Sequence, residues 1–226
     1  MRSTWFVTVA LAIAVIVGCD REKPDTSRDA AVGTAGQSEK VSRADKNFVN
    51  DMAIANMAEV ELAKLAPERS TDTEVKKFAQ LMVDDHGKSL DSLKAIASQH
   101  NIPVPSALDG RHTRMRDKIA KWHGTEFDRA YMDAMVDEHE NTLDSLDSRV
   151  EEKTLAEYKA QMDDRVSGKK AVEQAQVVAL IPEKSDNRVT MSLNEWAAAT
   201  YPIVRAHLDA ARVLKTAVDK RPSTTH

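Results

Sequence analysis

The sequence predicts an all-α fold, a four-helix bundle, from three observations. Of the 226 residues, 42% are apolar but only 4% are aromatic, and seven are glycine, which suits a helical core of Ala, Leu, Val and Met. Apolar residues recur with the helical period along four segments. Residues 82–86, Met-Val-Asp-Asp-His, return as residues 135–139, Met-Val-Asp-Glu-His, and both copies continue to Leu-Asp-Ser-Leu, which indicates an internal duplication. We therefore expect one bundle domain over residues 42–219 and a frayed tail over residues 220–226.

The N-terminus resembles a bacterial lipoprotein signal. Arg2 is positively charged, residues 5–17 form an apolar run too short for an ordinary spanning helix, and Gly18 precedes Cys19, the single cysteine. The resemblance implies that residues 1–18 are a signal peptide and that Cys19 carries a lipid. That lipid would anchor the protein on the periplasmic side of the cell envelope without spanning the membrane. An ordinary signal peptide followed by an incidental cysteine is the alternative. Asp20 favours the inner membrane, as in enteric bacteria, over the outer membrane.

The segment after the cysteine is predicted to be a tether. Residues 20–40 are polar, contain Pro24, Gly33 and Gly36, and have scarcely a bulky apolar side chain. Such a segment cannot bury enough surface to offset its ordering entropy. Residues 19–41 are therefore interpreted as the lipidated cysteine and a disordered tether.

Charge and motifs exclude several functions. The net charge of −4 and the pI near 6.0 give no basic field for nucleic acid. The chain has no Ser/His/Asp string, no thiol nucleophile after lipidation and no glycine-rich phosphate loop. We expect no nucleic-acid partner and no nucleotide cofactor, and the sequence does not favour an enzyme.

The first two predicted helices form a hairpin, over about residues 42–66 and 71–98, with Pro67 between them. Their capping-box-like starts are Ser42-x-x-Asp45 and Thr71-x-x-Glu74. The inward stripe of the first consists of Phe48, Met52, Ala55, Glu59, Leu62 and Ala66, and that of the second includes Phe78, Met82, His86, Leu90 and Leu93.

A long connection leads to the third helix. Residues 100–124 contain two prolines, Gly110 and a short amphipathic helix. Such a crossover starts the third helix at the same end of the bundle as the second, so that the two run parallel, as in ferritin-like folds. The third helix is predicted to begin at Thr125-x-x-Asp128 and to continue unbroken to about Val166. Its inward stripe includes Met132, Met135, His139, Leu143 and Leu146.

An extra excursion precedes the fourth helix. It contains Gly168, a helical piece ending at Leu180, Pro182 and a polar stretch to Asn187. The fourth helix is predicted to begin at Ser192-x-x-Glu195, and Pro202 should kink it. Its predicted buried side consists of Trp196, Ile203, Val204, His207, Leu208, Ala211 and Leu214.

Three histidines, His86, His139 and His207, are predicted to face the core, because each lies on the apolar stripe of a different helix. Glu59 adds a carboxylate to the stripe of the first helix, where an acidic residue is uncommon unless it is paired or bound. These four residues would bind one first-row transition metal such as Zn, Cu or Fe. Residue counts place Glu59 about 9 Å from the height of His86, so Asn56 or Met52 is the alternative at that level.

Two metal chemistries can be weighed from the neighbouring residues. A di-iron carboxylate site needs Glu-x-x-His pairs, but Val83, Val136 and Val204 lie three residues before the histidines, which argues against ferroxidase chemistry. Met82 and Met135 precede their histidines by four residues, and thioethers beside imidazoles would favour copper(I). Inward methionine is more often core filler.

The competing interpretation is a structural polar layer without metal. One carboxylate of each flanking pair, Asp84 or Asp85 and Asp137 or Glu138, could hold a neighbouring imidazole and fix the helix register. The remaining histidines are predicted to be solvated: His100, His112, His123 and His226.

Four stretches are similar to the domain-of-unknown-function 4142 family of bacterial exported proteins, regarded as ferritin-like helical bundles. They are residues 59–66, 75–86, 127–139 and 201–208. The resemblance covers roughly residues 44–216 and implies the fold and an exported location, but no settled activity. Two features depart from the family pattern: the segment from about 150 to 190 is longer than usual, and Tyr201-Pro202 replaces Leu-Pro.

Three functions follow from these observations. The first is a lipid-anchored periplasmic bundle that binds or scaffolds a partner or acts in stress tolerance. The second is a metal-binding bundle that uses the inward histidines. The third and least favoured is a redox enzyme at that metal.

Overall fold

The computed structural model describes residues 40–166 and 177–222, and these ranges fold into helices. The helices are α1 (Arg43–Ala63), α2 (Ala66–Arg69), α3 (Thr73–Gln99), α4 (Gly110–Ile119), α5 (Gly124–Asp147), α6 (Glu152–Val166) and α7 (Arg188–Asp219). Within the described ranges the only β pairing is an isolated bridge between Val150 and Pro182. The predicted all-α class is confirmed. The signal peptide, Cys19, most of the tether and residues 167–176 and 223–226 lie outside the described residues.

Side chains cap the starts of α1, α3 and α7, and three of the four predicted caps are wrong. Ser42 caps α1 as predicted, with its Oγ accepting from the Asp45 amide at 3.0 Å. Asp72, not Thr71, caps α3, because its carboxylate accepts hydrogen bonds from the backbone amides of Glu74 and Val75. Asn187, not Ser192, caps α7, so the helix begins five residues earlier than predicted. No side chain caps α5, which follows His123 rather than Thr125.

The prediction of one unbroken third helix is also wrong. α5 ends at Asp147, and α6 begins at Glu152. Between them the Glu151 amide donates to the carbonyl of Ile181 at 2.8 Å, and the Arg149 carbonyl accepts from the Glu183 amide at 2.9 Å. The backbone at this point is therefore paired with a segment far along the chain instead of continuing the helix. α1 also ends slightly early, at Ala63, because α2 follows with Pro67 in its first turn.

Side-chain pairs establish the helix directions. Asp45 at the start of α1 contacts Arg149 just after α5, and Glu59 late in α1 contacts His139 in the middle of α5, so these helices are antiparallel. α1 is also antiparallel to α3, because its early residues share a core cluster with the end of α3 and its late residues with the start. α3 and α5 therefore run parallel, as the long crossover predicts. The more specific ferritin-like assignment stays a prediction.

The core consists of two hydrophobic clusters stacked along the bundle. One cluster includes Phe48, Leu90, Leu143, Leu146, Trp196 and Val204, and the other includes Leu62, Phe78, Met82, Met132, Met135 and Ala211. On each of α3, α5 and α7, a histidine lies between a residue of one cluster and a residue of the other. The three histidines therefore form the layer where the two clusters meet.

The buried side of α7 departs from the prediction at two positions. Ile203 is 49% exposed, and Leu214 is only half-buried, while the other predicted residues are buried. Ile203 lies at a groove lined by residues of α3 and α7. Within residues 40–166 and 177–222, no helix combines the length and the hydropathy that a membrane crossing requires.

Candidate metal centre

The three predicted histidines meet in the core. The ring centroids of His86, His139 and His207 are 5.3, 5.4 and 5.6 Å apart. One nitrogen from each ring lies within 4.8 Å of one nitrogen from each of the others. All three side chains are buried, and His139 is fully enclosed. The stripes on α3, α5 and α7 thus bring three imidazoles from three helices to one point, as the sequence predicts.

Each imidazole makes one hydrogen bond, through one of its two ring nitrogens. Nδ1 of His86 lies 3.1 Å from Oδ1 of Asn56, which confirms Asn56 as the α1 residue that faces His86. Nδ1 of His139 lies 2.7 Å from the carbonyl oxygen of Met135. Nε2 of His207 lies 3.1 Å from Oδ2 of Asp85. Because these partners are acceptors, the bonded nitrogens carry the hydrogen.

The second nitrogen of each ring is buried and has no hydrogen-bond partner among the described residues. These atoms are Nε2 of His86, Nε2 of His139 and Nδ1 of His207. In the tautomers fixed by the first hydrogen bonds, each of them carries a lone pair. A buried hydrogen-bond acceptor without a partner costs free energy. Three such nitrogens in one layer are consistent with a binding site whose ligand would satisfy them.

Burial keeps the three rings neutral. The pKa of His139 is lowered to about 4, first by burial and then by the neighbouring His207, while the Met135 carbonyl and Glu138 oppose the shift. Burial, and then the other two histidines, hold the pKa of His86 well below its usual value. Burial also lowers the pKa of His207, against the opposing effect of Asp85. Neutral imidazole is the form that binds a metal ion.

Glu59 lies beside the histidine layer, next to His139. Counting residues along the helices places it at a different height from His86. Its Oε1 is 3.3 Å from Nδ1 of His139, and both of its carboxyl oxygens are buried without a hydrogen-bond partner. Burial, and then the charge of Glu138, raises the pKa of Glu59 well above its usual value. Glu59 contacts the ring on α5 and not the one on α3, where Asn56 bonds His86, in agreement with the difference in height counted along the helices. Glu59 contacts the nitrogen of His139 that is hydrogen-bonded to the Met135 carbonyl, not the free nitrogen.

Only one of the flanking carboxylates predicted to hold a histidine of the layer does so. Asp85 binds His207, but Glu138 turns the other way and accepts two hydrogen bonds from Arg111, at 2.8 and 2.9 Å. Glu138 also lies 3.1 Å from Nε2 of His112. Asp84 and Asp137 are exposed.

The prediction that His112 is solvated is wrong. His112 is buried between Glu138 and Asp109, whose Oδ1 lies 2.7 Å from Nδ1 of His112. The spacing Asp109-x-x-His112 at the start of α4 was the available signal, because an N-cap carboxylate reaches the residue three positions later. His123 is exposed, His100 is half-buried, and His226 lies outside the described residues.

The chemistry of this arrangement suits a metal ion. Three neutral nitrogens from three helices form the donor set of a three-histidine site, in which a tetrahedral ion keeps a fourth position for another ligand. Metal-binding histidines are usually oriented by a hydrogen bond from their other ring nitrogen to an acceptor. Each of the three rings has such a bond: the acceptor is a carboxylate for His207, an amide oxygen for His86 and a backbone carbonyl for His139. Zn²⁺ lies about 2.0–2.1 Å from each imidazole nitrogen that binds it. Three nitrogens around one such ion would lie closer together than 4.8 Å, so binding would draw the rings together.

Comparisons with known proteins agree with the fold. The family model described as "Domain of unknown function (DUF4142)" matches residues 30–171, which include His86 and His139 but not His207. A solved structure, "Crystal structure of DUF305 fragment from Deinococcus radiodurans", is similar, with a TM-score of 0.52 at 13% identity over 80% of this chain and 98% of that one. At that identity the likeness shows the fold alone. No protein of curated function matches the chain.

Proposed function

The chain belongs to the DUF4142 family, and we propose that this member is a metal-binding helical bundle. In this proposal His86, His139 and His207 together bind one first-row transition metal ion. Glu59 stands beside the site next to His139 and is not one of the three nitrogen ligands.

One observation supports the proposal above the others: each ring has one hydrogen-bonded nitrogen and a second nitrogen that is buried without a partner in residues 40–166 and 177–222. A purely structural polar layer should have satisfied both nitrogens of each ring, since an unsatisfied buried polar group costs roughly 1–3 kcal/mol. Metal coordination would satisfy all three free nitrogens at once. The geometry therefore favours the metal-binding interpretation over a structural layer.

The three imidazoles restrict which metals would bind but do not select one of them. Neutral imidazoles suit Zn, Cu, Fe and Ni. The paired Glu-x-x-His motifs of a di-iron site are missing, because Val83, Val136 and Val204 occupy the required positions. Met82 and Met135 pack in a hydrophobic cluster, which supports a role for both as core residues.

Elemental analysis of the purified full chain tests the proposal. We expect about one metal ion per chain, lost when His86, His139 or His207 is replaced by Ala. His123→Ala removes an exposed histidine outside the site and should leave the metal content unchanged. A chain without stoichiometric metal, whose three site variants are merely less stable, would support the structural layer instead.

We also propose that the protein acts in the cell envelope, attached by a lipid on Cys19. The support is the N-terminal sequence alone, a short apolar run that ends at the single cysteine. Cys19→Ser should abolish incorporation of labelled fatty acid and release the protein from the membrane fraction. Membrane attachment that persists in Cys19→Ser would contradict the lipid anchor.

A further inference from the structure

The groove between α3 and α7 borders the histidine layer. It encloses about 420 Å³, within the range of small-molecule sites. His86 and His207 line it, whereas His139 lies behind them and is fully buried. The groove therefore borders the side chains of two of the three proposed ligand residues, whose unpaired nitrogens are buried.

The walls of the groove are mainly apolar. Trp196 and Val204 are buried at the wall, and Ile203 remains 49% exposed there. A large apolar side chain left uncovered beside a cavity is consistent with a surface that an apolar ligand covers.

The polar groups of the groove are few and carry little net charge. Asp85 at the groove is paired with His207 and lies 3.6 Å from Lys88, so the two charges offset each other. The other polar groups are hydroxyls, and one of them, Oγ of Ser89, is buried without a hydrogen-bond partner. This lining favours a neutral ligand that can hydrogen-bond to Ser89.

A three-histidine site leaves one coordination position unfilled in tetrahedral geometry. Resting on the proposed metal site, we propose that the α3–α7 groove binds a neutral, mostly apolar small molecule whose single nitrogen, oxygen or sulfur donor completes the coordination of the metal. The apolar body would lie against Trp196 and Ile203. The protein would then be a sensor or carrier for that ligand rather than a closed structural metal site.

The test uses the full chain loaded with Co²⁺, whose visible spectrum reports the coordination sphere, and 4-phenylimidazole, a neutral flat molecule with one donor nitrogen. We expect a saturable change of the Co²⁺ bands on titration with 4-phenylimidazole. Ala199→Trp, at an exposed groove position, should weaken this binding by at least about tenfold and leave Co²⁺ affinity unchanged. Thr200→Phe fills the groove from the adjacent position and should act in the same direction.

Ala217→Trp is the matched control, because Ala217 is also exposed on α7 but lies outside the groove. It should bind 4-phenylimidazole like the unmodified chain. If Co²⁺ binds but 4-phenylimidazole leaves the Co²⁺ spectrum unchanged, the groove proposal is overturned. It is also overturned if both groove variants bind 4-phenylimidazole as the unmodified chain does. In either case the proposed metal site is unaffected. If Co²⁺ itself does not bind, both proposals fail.

Discussion

At the scale of single residues, the site depends on the groups that orient the imidazoles. Asp85 fixes the tautomer of His207, because its carboxylate accepts from Nε2 and leaves the lone pair on Nδ1. Asn56 and the Met135 carbonyl do the same for His86 and His139. Asn56 and Asp85 lie on helices other than those of the rings they hold, so the orientation of His86 and His207 depends on the assembled bundle, whereas Met135 holds His139 within α5.

Asp85→Ala should weaken metal binding without removing a ligand. Loss of an outer partner of this kind typically lowers metal affinity by about 10–100-fold, because the ring is no longer held in one tautomer and orientation. Competition titration with a chromophoric chelator measures the change. Asp84→Ala is the control, since the neighbouring Asp84 is exposed and bonds only to Gln80 among the contacts described. Equal affinities for the two variants would show that Asp85 does not position His207.

Sequence reasoning located the three proposed ligand residues but not most of the groups around them. Periodicity puts His86, His139 and His207 on buried stripes, because a stripe depends only on local spacing. The direction in which a carboxylate side chain points depends on contacts between distant segments. Glu138 points away from the histidine layer and accepts a hydrogen bond from Arg111 of the crossover. The residue spacing within α5 cannot predict that contact.

At the scale of helices, a buried ion pair joins three elements at one end of the bundle. Arg149, after α5, donates to Asp45 of α1 at 2.8 Å and to Asn194 of α7 at 3.2 Å. Its guanidinium also lies 4.3 Å from the centre of the Phe48 ring. This junction and the backbone pairing of residues 149–151 place the break between α5 and α6. The helical period continues through the break, which is why the sequence predicts one long helix there.

The Asp45 carboxylate should make stability depend on pH. Burial raises the pKa of Asp45, but hydrogen bonds from Ser42, Arg149 and Thr190 outweigh it and hold the pKa below the usual 3.8. A lowered folded-state pKa gives stability that is present above the unfolded-state pKa and lost as the pH falls through the folded-state pKa. Asp45→Asn should therefore cost roughly 3–5 kcal/mol at neutral pH, because it leaves Arg149 without its charged partner.

Urea unfolding at pH 7 and near pH 3 measures the effect of Asp45→Asn. The difference between the unmodified chain and the variant should shrink at the lower pH, which lies below the unfolded-state pKa of about 3.8, and should shrink further as the pH falls through the lower folded-state pKa. Asp51→Asn changes an exposed carboxylate on the same helix and should stay within about 0.5 kcal/mol at both pH values. A difference that does not depend on pH would show that the charge of Asp45 is not what stabilises the junction.

At the scale of the whole molecule, the histidine layer joins the two halves of the bundle. α3 packs mainly against α1, and α5 packs mainly against α7. His86 belongs to the first pair, and His139 and His207 belong to the second. An ion bound at the three rings would therefore link the two pairs midway along the bundle, between the two hydrophobic clusters.

Metal binding should consequently stabilise the entire bundle against heat. At a free metal concentration of 100 times Kd, binding to the folded state contributes about 2.7 kcal/mol, which for a domain of this size raises Tm by roughly 5–10 °C. Thermal unfolding of the full chain with and without Zn²⁺ measures the shift. His139→Ala should abolish it, whereas His123→Ala should preserve it, because that side chain is exposed and away from the layer. An equal shift in both variants would place the stabilising ion elsewhere on the chain, and the three rings would then act only through packing and hydrogen bonds.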